Sequence, residues 1–278
     1  KHEVFRTQKE RGEAFKTLDR RIAKLREEER EHPCRKCPDI QQHLKWGHRW
    51  AREVRELERV RNRYDSRTGS VARQFDRICN VLEELGYLRR AEGSVDGQVD
   101  YRLTEQGQLL RHLYSELDLV LAQAIDDGAF DGLDAAELAS VVMSLIYEPR
   151  RGGGGEPRHY PGGIQGNVAV CAAQLKGVHA SIAMLCEDHA LGEMRQLDFG
   201  ITDVVYEWAQ GESLSRVLCG TDLTGGDFVR SCKRLADVLQ QIAVAGPYLG
   251  ERAETLVPIA KQAYESVNRG IVAYSGVD

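Results

Sequence analysis

Between Thr224 and Ala243 the sequence TGGDFVRSCKRLADVLQQIA separates an apolar face from a charged one, which makes this stretch an amphipathic helix laid on a core. Thr224 is placed to cap its first turn, and Asp227 three residues on can reach back toward the cap. At about 100° per residue, Phe228, Cys232, Leu235, Leu239 and Ile242 fall on one stripe. Arg230, Arg234, Asp237 and Gln241 fall on the opposite one, with Lys233 at its margin. A charged helix face taken alone is usually solvated surface, so any further role for these cations has to be argued from the rest of the chain.

A chain of 278 residues can bury a sizeable core and hold more than one module. No uninterrupted apolar run approaches the roughly 20 residues needed to cross a bilayer, and no membrane partner is expected. The charged opening does not resemble a secretory signal. Seven scattered cysteines do not form a disulfide framework; Cys79, Cys171, Cys186, Cys219 and Cys232 lie in apolar stretches and are expected in the core. This usage predicts a reducing cytoplasm. The net charge of -5 hides an asymmetry: residues 1–73 hold 21 lysines and arginines against 13 acidic residues, while the remainder holds 17 against 30. A basic segment on an acidic body points to localised contact with nucleic acid or an acidic partner.

The fold class expected is mainly α, with a helical hairpin, a partial winged helix and a C-terminal helical bundle. In residues 1–65, Phe15, Leu18, Ile22 and Leu25 step at heptad spacing, and Trp50, Val54, Leu57 and Tyr64 continue the pattern in a second arm. His32-Pro33-Cys34-Arg35-Lys36-Cys37-Pro38-Asp39 is the reversal, because two prolines break a continuous helix. An antiparallel coiled-coil stalk projecting from the body is the expectation. In residues 66–112, Val71, Phe75, Ile78, Leu82 and Leu85 mark a helix ending at Gly86. Strands near 87–90 and 99–103 then flank a turn-rich Glu92-Gly93-Ser94-Val95-Asp96-Gly97, the later part of a winged helix with its wing. Thr104 caps a further helix, Glu105 to Asp126, that leads into the bundle of residues 113–278. Residues 150–163 contain RGGGGEPRHYPGG, which has neither the strand before it nor the Gly-Lys-Ser/Thr after it of a phosphate loop and reads as a flexible linker.

Catalytic motifs are absent: no phosphate-loop, nucleophile-elbow or His-Glu-x-x-His pattern occurs, so bond chemistry is not expected of this chain and no cofactor is assigned to it. Cys34 and Cys37, with His32 and His43 nearby, are weak zinc candidates, since a second ligand pair at metal spacing is missing. Trp208 is expected to be a core anchor. Arg73, Arg77 and Asn80 are candidate base readers on the polar side of their helix, but Glu83 and Glu84 follow and disfavour a groove-reading role.

The order of several motifs resembles the C-terminal region of exosome-associated superfamily 2 RNA helicases, especially their HelY-like branch. The residues that carry it are His32-Pro33-Cys34 with Cys37-Pro38-Asp39, Val71-Ala72-Arg73-Gln74-Phe75-Asp76 leading to Leu85-Gly86-Tyr87-Leu88, and Gly128-Ala129-Phe130 with Leu133. Val205-Tyr206-Glu207-Trp208-Ala209-Gln210-Gly211 and Gly226-Asp227-Phe228-Val229-Arg230 through Leu239 complete it. The resemblance implies part of an arch with its returning stalk, the later winged helix and a whole DSHCT bundle. It implies that ATP and Mg²⁺ are used by RecA-like motor domains of the same polypeptide moving 3′ to 5′ on one strand, with a bundle helix lining the exit path as a ratchet. In that setting Arg230, Lys233 and Arg234 touch phosphates of single-stranded nucleic acid, RNA foremost, and Gln241 contacts sugar or base. Ser231 replaces an aromatic residue common in the branch. A ribonuclease or another protein is the partner implied at the stalk. Two other readings stay open at the level of sequence: a free-standing winged-helix regulator with a dimerising coiled coil, and an interaction scaffold.

Overall fold

The structure is a computed structural model that describes residues 8–91, 100–149 and 155–274, with side chains described outside 8–14, 35 and 61–69. The chain divides into two compact units, residues 1–71 and 72–278.

The first unit contains α1 (Gln8–Glu31) and the opening part of α2 (Ile40–Glu84), joined by a 3-10 turn at Pro33–Lys36. His32 caps that turn, its Nδ1 accepting the Cys34 N–H at 3.2 Å. The helices and their proline reversal are as expected, but the packed seam is not formed among the described residues. Phe15, Leu18, Ile22 and Leu25 are about half exposed, and Trp50 and Leu57 more so. A stripe this narrow, on helices otherwise crowded with charge, supplies too little apolar area to hold two arms together by itself.

α2 runs uninterrupted for 45 residues, so the expected boundary at 65/66 lies inside a continuous helix. No proline interrupts it after Pro38, and Gly69 in mid-helix is tolerated. Val71, at the end of the first unit, and Phe75 and Ile78 of the second are exposed, whereas Cys79 and Val81 are buried. Leu82 and Leu85 pack partly against the core. β1 (Leu88–Arg90) and β2 (Tyr101–Leu103) pair antiparallel with Leu88 opposite Leu103; the expected wing tip at 92–97 lies outside the described residues.

Thr104 caps α3 (Glu105–Leu110), its Oγ1 accepting the Gly107 N–H at 3.1 Å while its hydroxyl donates to the Gly86 carbonyl at 2.7 Å. The single helix expected over 105–126 is two, because the chain breaks at 111–117 before α4 (Asp118–Asp126). At that break the Tyr114 N–H leaves the helix ladder and donates to Gln241 Oε1 at 2.7 Å.

α5 (Ala135–Met143) begins with a full capping box between Asp134 and Glu137 and is buried nearly all round, which makes it the centre of the bundle. α6 (Asn167–Asp188), α7 (Thr202–Ala209), α8 (Leu214–Val217), α9 (Gly225–Val244), α10 (Ala253–Val267) and α11 (Gly270–Tyr274) complete the unit. α5 packs against α6, α7, α9 and α10, and α9 against α10. α6 is long and apolar enough to cross a membrane by length and composition alone, although Gln174, Lys176, His179 and Ser181 interrupt its apolar run as the sequence expectation had it. Its Val168, Cys171, Ala172, Leu175, His179 and Ile182 are buried in the bundle. Cys219, expected in the core, is exposed; Cys79, Cys171 and Cys232 are buried and Cys186 partly so.

Candidate nucleic-acid interface

α9 forms as its sequence requires. Thr224 Oγ1 accepts the Asp227 N–H at 3.2 Å and its hydroxyl donates to Asp227 Oδ2 at 2.7 Å. The cap therefore uses the aspartate through the threonine hydroxyl. Phe228, Cys232, Leu235, Leu239 and Ile242 are all fully buried, and burial pushes the Cys232 thiol pKa up. Trp208 of α7 is the core anchor expected: it packs edge-on against Phe228 and donates its Nε1–H to the Val267 carbonyl at 3.0 Å. The Arg269 guanidinium lies 3.6 Å from its ring centroid, and burial among apolar groups lowers that arginine's pKa.

The polar face of α9 borders a groove of about 910 Å³. Its first wall is Asp227, Arg230, Ser231 and Arg234. The opposing walls are Tyr147-Glu148-Pro149 after α5, Gly200-Ile201 before α7, and Gly220 to Leu223 between α8 and α9. Arg158 supplies a third guanidinium. The cations are held by carboxylates of the groove itself: Arg234 lies 3.5 Å from Glu148 and Arg230 lies 3.4 Å from Asp227. Both arginines stay largely exposed, so an incoming anion can compete for them. Burial, then the nearby Asp198 and Asp227 charges, raises the Tyr147 phenol pKa and keeps it a hydrogen-bond donor.

The four residues singled out in the sequence thus separate. Arg230 and Arg234 share the groove; Lys233, half-buried, is not among its lining residues. Gln241 does not line the groove, and its side-chain oxygen accepts the Tyr114 backbone N–H at 2.7 Å, which staples the break between α3 and α4. Arg77 likewise donates to the Ala190 carbonyl at 2.9 Å. Around the turn at 32–43, Cys37 Sγ lies 3.6 Å from His43 Nδ1, but among the described residues no three metal-ligating side chains converge.

Three groove residues were not legible as such: Tyr147, Glu148 and Arg158. Arg158 falls in the stretch expected to be a flexible linker, yet residues 155–163 are pinned. The Gly155 N–H donates to Asp198 Oδ2 at 3.0 Å, Glu156 accepts from Lys176 and Tyr160, and Arg158 Nε donates to the buried Asp203 at 2.6 Å. The hint in the sequence was compositional, Glu156, Arg158 and His159 after the glycines.

The DSHCT (NUC185) domain model matches residues 100–275, which contain the whole groove. The chain belongs to the DSHCT family. It is 30% identical over 264 residues to the probable helicase HelY of Mycobacterium tuberculosis, covering 92% of this chain and 28% of HelY. The HelY of Mycobacterium leprae is 34% identical over 268 residues, again 92% of this chain and 27% of that protein. Superkiller complex protein 2 of Homo sapiens is 26% identical over 217 residues, 75% of this chain and 16% of its own length. The chain therefore spans less than a third of the relatives it matches. The groove between α5, α7 and α9 lies within the residues that match the DSHCT model, and the similarity to HelY extends N-terminal of that match.

Proposed function

We propose that this chain is an accessory, nucleic-acid-guiding region of an ATP-dependent RNA helicase, in which the α9 groove holds a single strand through its phosphates. Family membership and relatives named as helicases support the helicase setting; one of them is an ATP-dependent RNA helicase of Arabidopsis thaliana named DExH9, 22% identical over 263 residues. The observation that carries the groove's role is the placement of Arg230 and Arg234 on one exposed face, opposite a fully buried one. A guanidinium suits a phosphate oxygen pair, and the contact carries no sequence information. The carboxylates of Glu148 and Asp227 keep the groove from being a strong polyanion trap. A strand would be held weakly and left able to slide.

In this reading the helix ending at Glu84 and the β1–β2 pair are the later part of a winged helix, and α1 with the start of α2 is an arch stalk. ATP and Mg²⁺ belong to motor domains of the parent polypeptide, and the chain acts in the cytoplasm. The test is Arg230→Ala with Arg234→Ala. Both side chains are exposed, so thermal stability should hold. Single-strand affinity should fall by about tenfold, as losing about 1.4 kcal/mol of phosphate contact would give. RNA-stimulated ATP turnover of the parent helicase should fall with it. Wild-type affinity and turnover in the double variant would remove the role assigned to this face.

A further inference from the structure

α2 carries a second basic surface, within the first unit, that the groove does not use. Lys45, His48, Arg52, Arg55 and Arg59 recur at steps of three, four, three and four residues, so they form one straight row along the helix. All five are exposed, Glu56 is the one acidic residue at the row's edge, and at about 1.5 Å per residue the row is about 21 Å long. Arg52, Arg55, Glu56 and Arg59 line a shallow depression on it. Arg52 and Arg59 each have one flanking carboxylate, Glu53 at 3.4 Å and Glu56 at 3.7 Å, exposed pairs that an anion can displace.

We infer that this row binds the sugar-phosphate backbone of a double-helical nucleic acid without reading its sequence. Three observations select that partner. The row has no apolar residue within it, so it offers a protein no core to bury, whereas protein interfaces centre on such a core. The exposed aromatics of the same helix, Trp46 and Trp50, fall on the other side of its axis, so bases cannot stack beside the cations as single-strand sites arrange. A straight row of like charges at near-constant intervals matches a backbone that base pairing holds regular, and arginine's fork suits each phosphate. The row is independent of the α9 groove: either assignment can fail without the other.

The experiment measures anisotropy of labelled blunt RNA duplex, blunt DNA duplex and single strand against the full chain, across a salt series. Arg52→Gln, Arg55→Gln and Arg59→Gln together should weaken duplex binding by tenfold or more and reduce the magnitude of the log-log salt slope by about two to three. Single-strand binding should be unchanged. The triple lysine variant, which keeps the charges, should restore most of the slope, separating phosphate contact from loss of helix structure, which circular dichroism reads directly. The groove variant with Arg230 and Arg234 replaced should retain duplex binding. The RNA and DNA arms tell which backbone is preferred. Wild-type chain without measurable duplex affinity at low salt, an unchanged slope in the glutamine variant, or an equal loss on single strands would each overturn the inference.

Discussion

Arg158 and Asp203 show how one pair of residues can hold a groove wall. Asp203 is fully buried, and Arg158 supplies its nearest positive charge at 2.6 Å, with His159 Nδ1 at 3.8 Å. The same guanidinium donates through Nη1 to the Cys219 carbonyl at 3.1 Å, next to the Gly220 to Leu223 wall. One side chain thus ties residues 155–163, the start of α7 and the loop after α8. Arg158→Ala strands a buried carboxylate and should destabilise the chain by about 3 kcal/mol, read from denaturant midpoints. Adding Asp203→Asn should recover part of that loss; an unchanged midpoint in Arg158→Ala would mean the pair is not the anchor. Neither Arg158 nor Gln241 announces its role in sequence. Their partners, Asp203 and Tyr114, lie 45 and 127 residues away, and local periodicity carries no information about an acceptor or donor that distant. The place of Arg230 and Arg234 on the groove was legible because it depends only on which face of one helix they occupy.

At the level of elements, the helical period gave the buried face of α9 but not one for α1 and the start of α2, whose apolar stripes are exposed, and it gave helix ends poorly. α9 matches its sequence reading because a threonine cap and an unbroken apolar stripe are both local. The split between α3 and α4 was hidden, since nothing between Arg111 and Leu117 is a helix breaker and the break is stabilised from α9. The continuity of α2 was hidden for the opposite reason: a change of module leaves no mark where the helix runs straight through it. One glycine makes the local geometry testable. A Cβ on Gly107 would stand 2.2 Å from the carbonyl oxygen of Tyr87, just before β1, which forces α3 away from that turn. Gly107→Ala should therefore cost about 1–3 kcal/mol even though alanine is the better helix former. A rise in melting temperature would show that the contact relaxes freely.

Among the described residues, charge is arranged so that the groove cations stand beside the carboxylates of Glu148 and Asp227, while the exposed row on α2 is mostly basic. The difference has a measurable consequence. Two phosphate contacts, from Arg230 and Arg234, predict a single-strand salt slope of about −1.4, far shallower than that of a protein using many cations. Glu148 sets how much of Arg234 is available, because it holds that guanidinium at 3.5 Å in a half-exposed pair. Such a pair contributes up to about 1 kcal/mol, so Glu148→Gln should tighten single-strand binding by no more than about fivefold. The slope should become slightly steeper as Arg234 commits to phosphate. Tighter holding works against sliding, so in the parent helicase the same substitution should raise affinity while lowering the rate of strand passage. A Glu148→Gln chain that binds the strand more weakly than wild type would show instead that the carboxylate itself contacts the nucleic acid, accepting hydrogen bonds from a base edge across the groove.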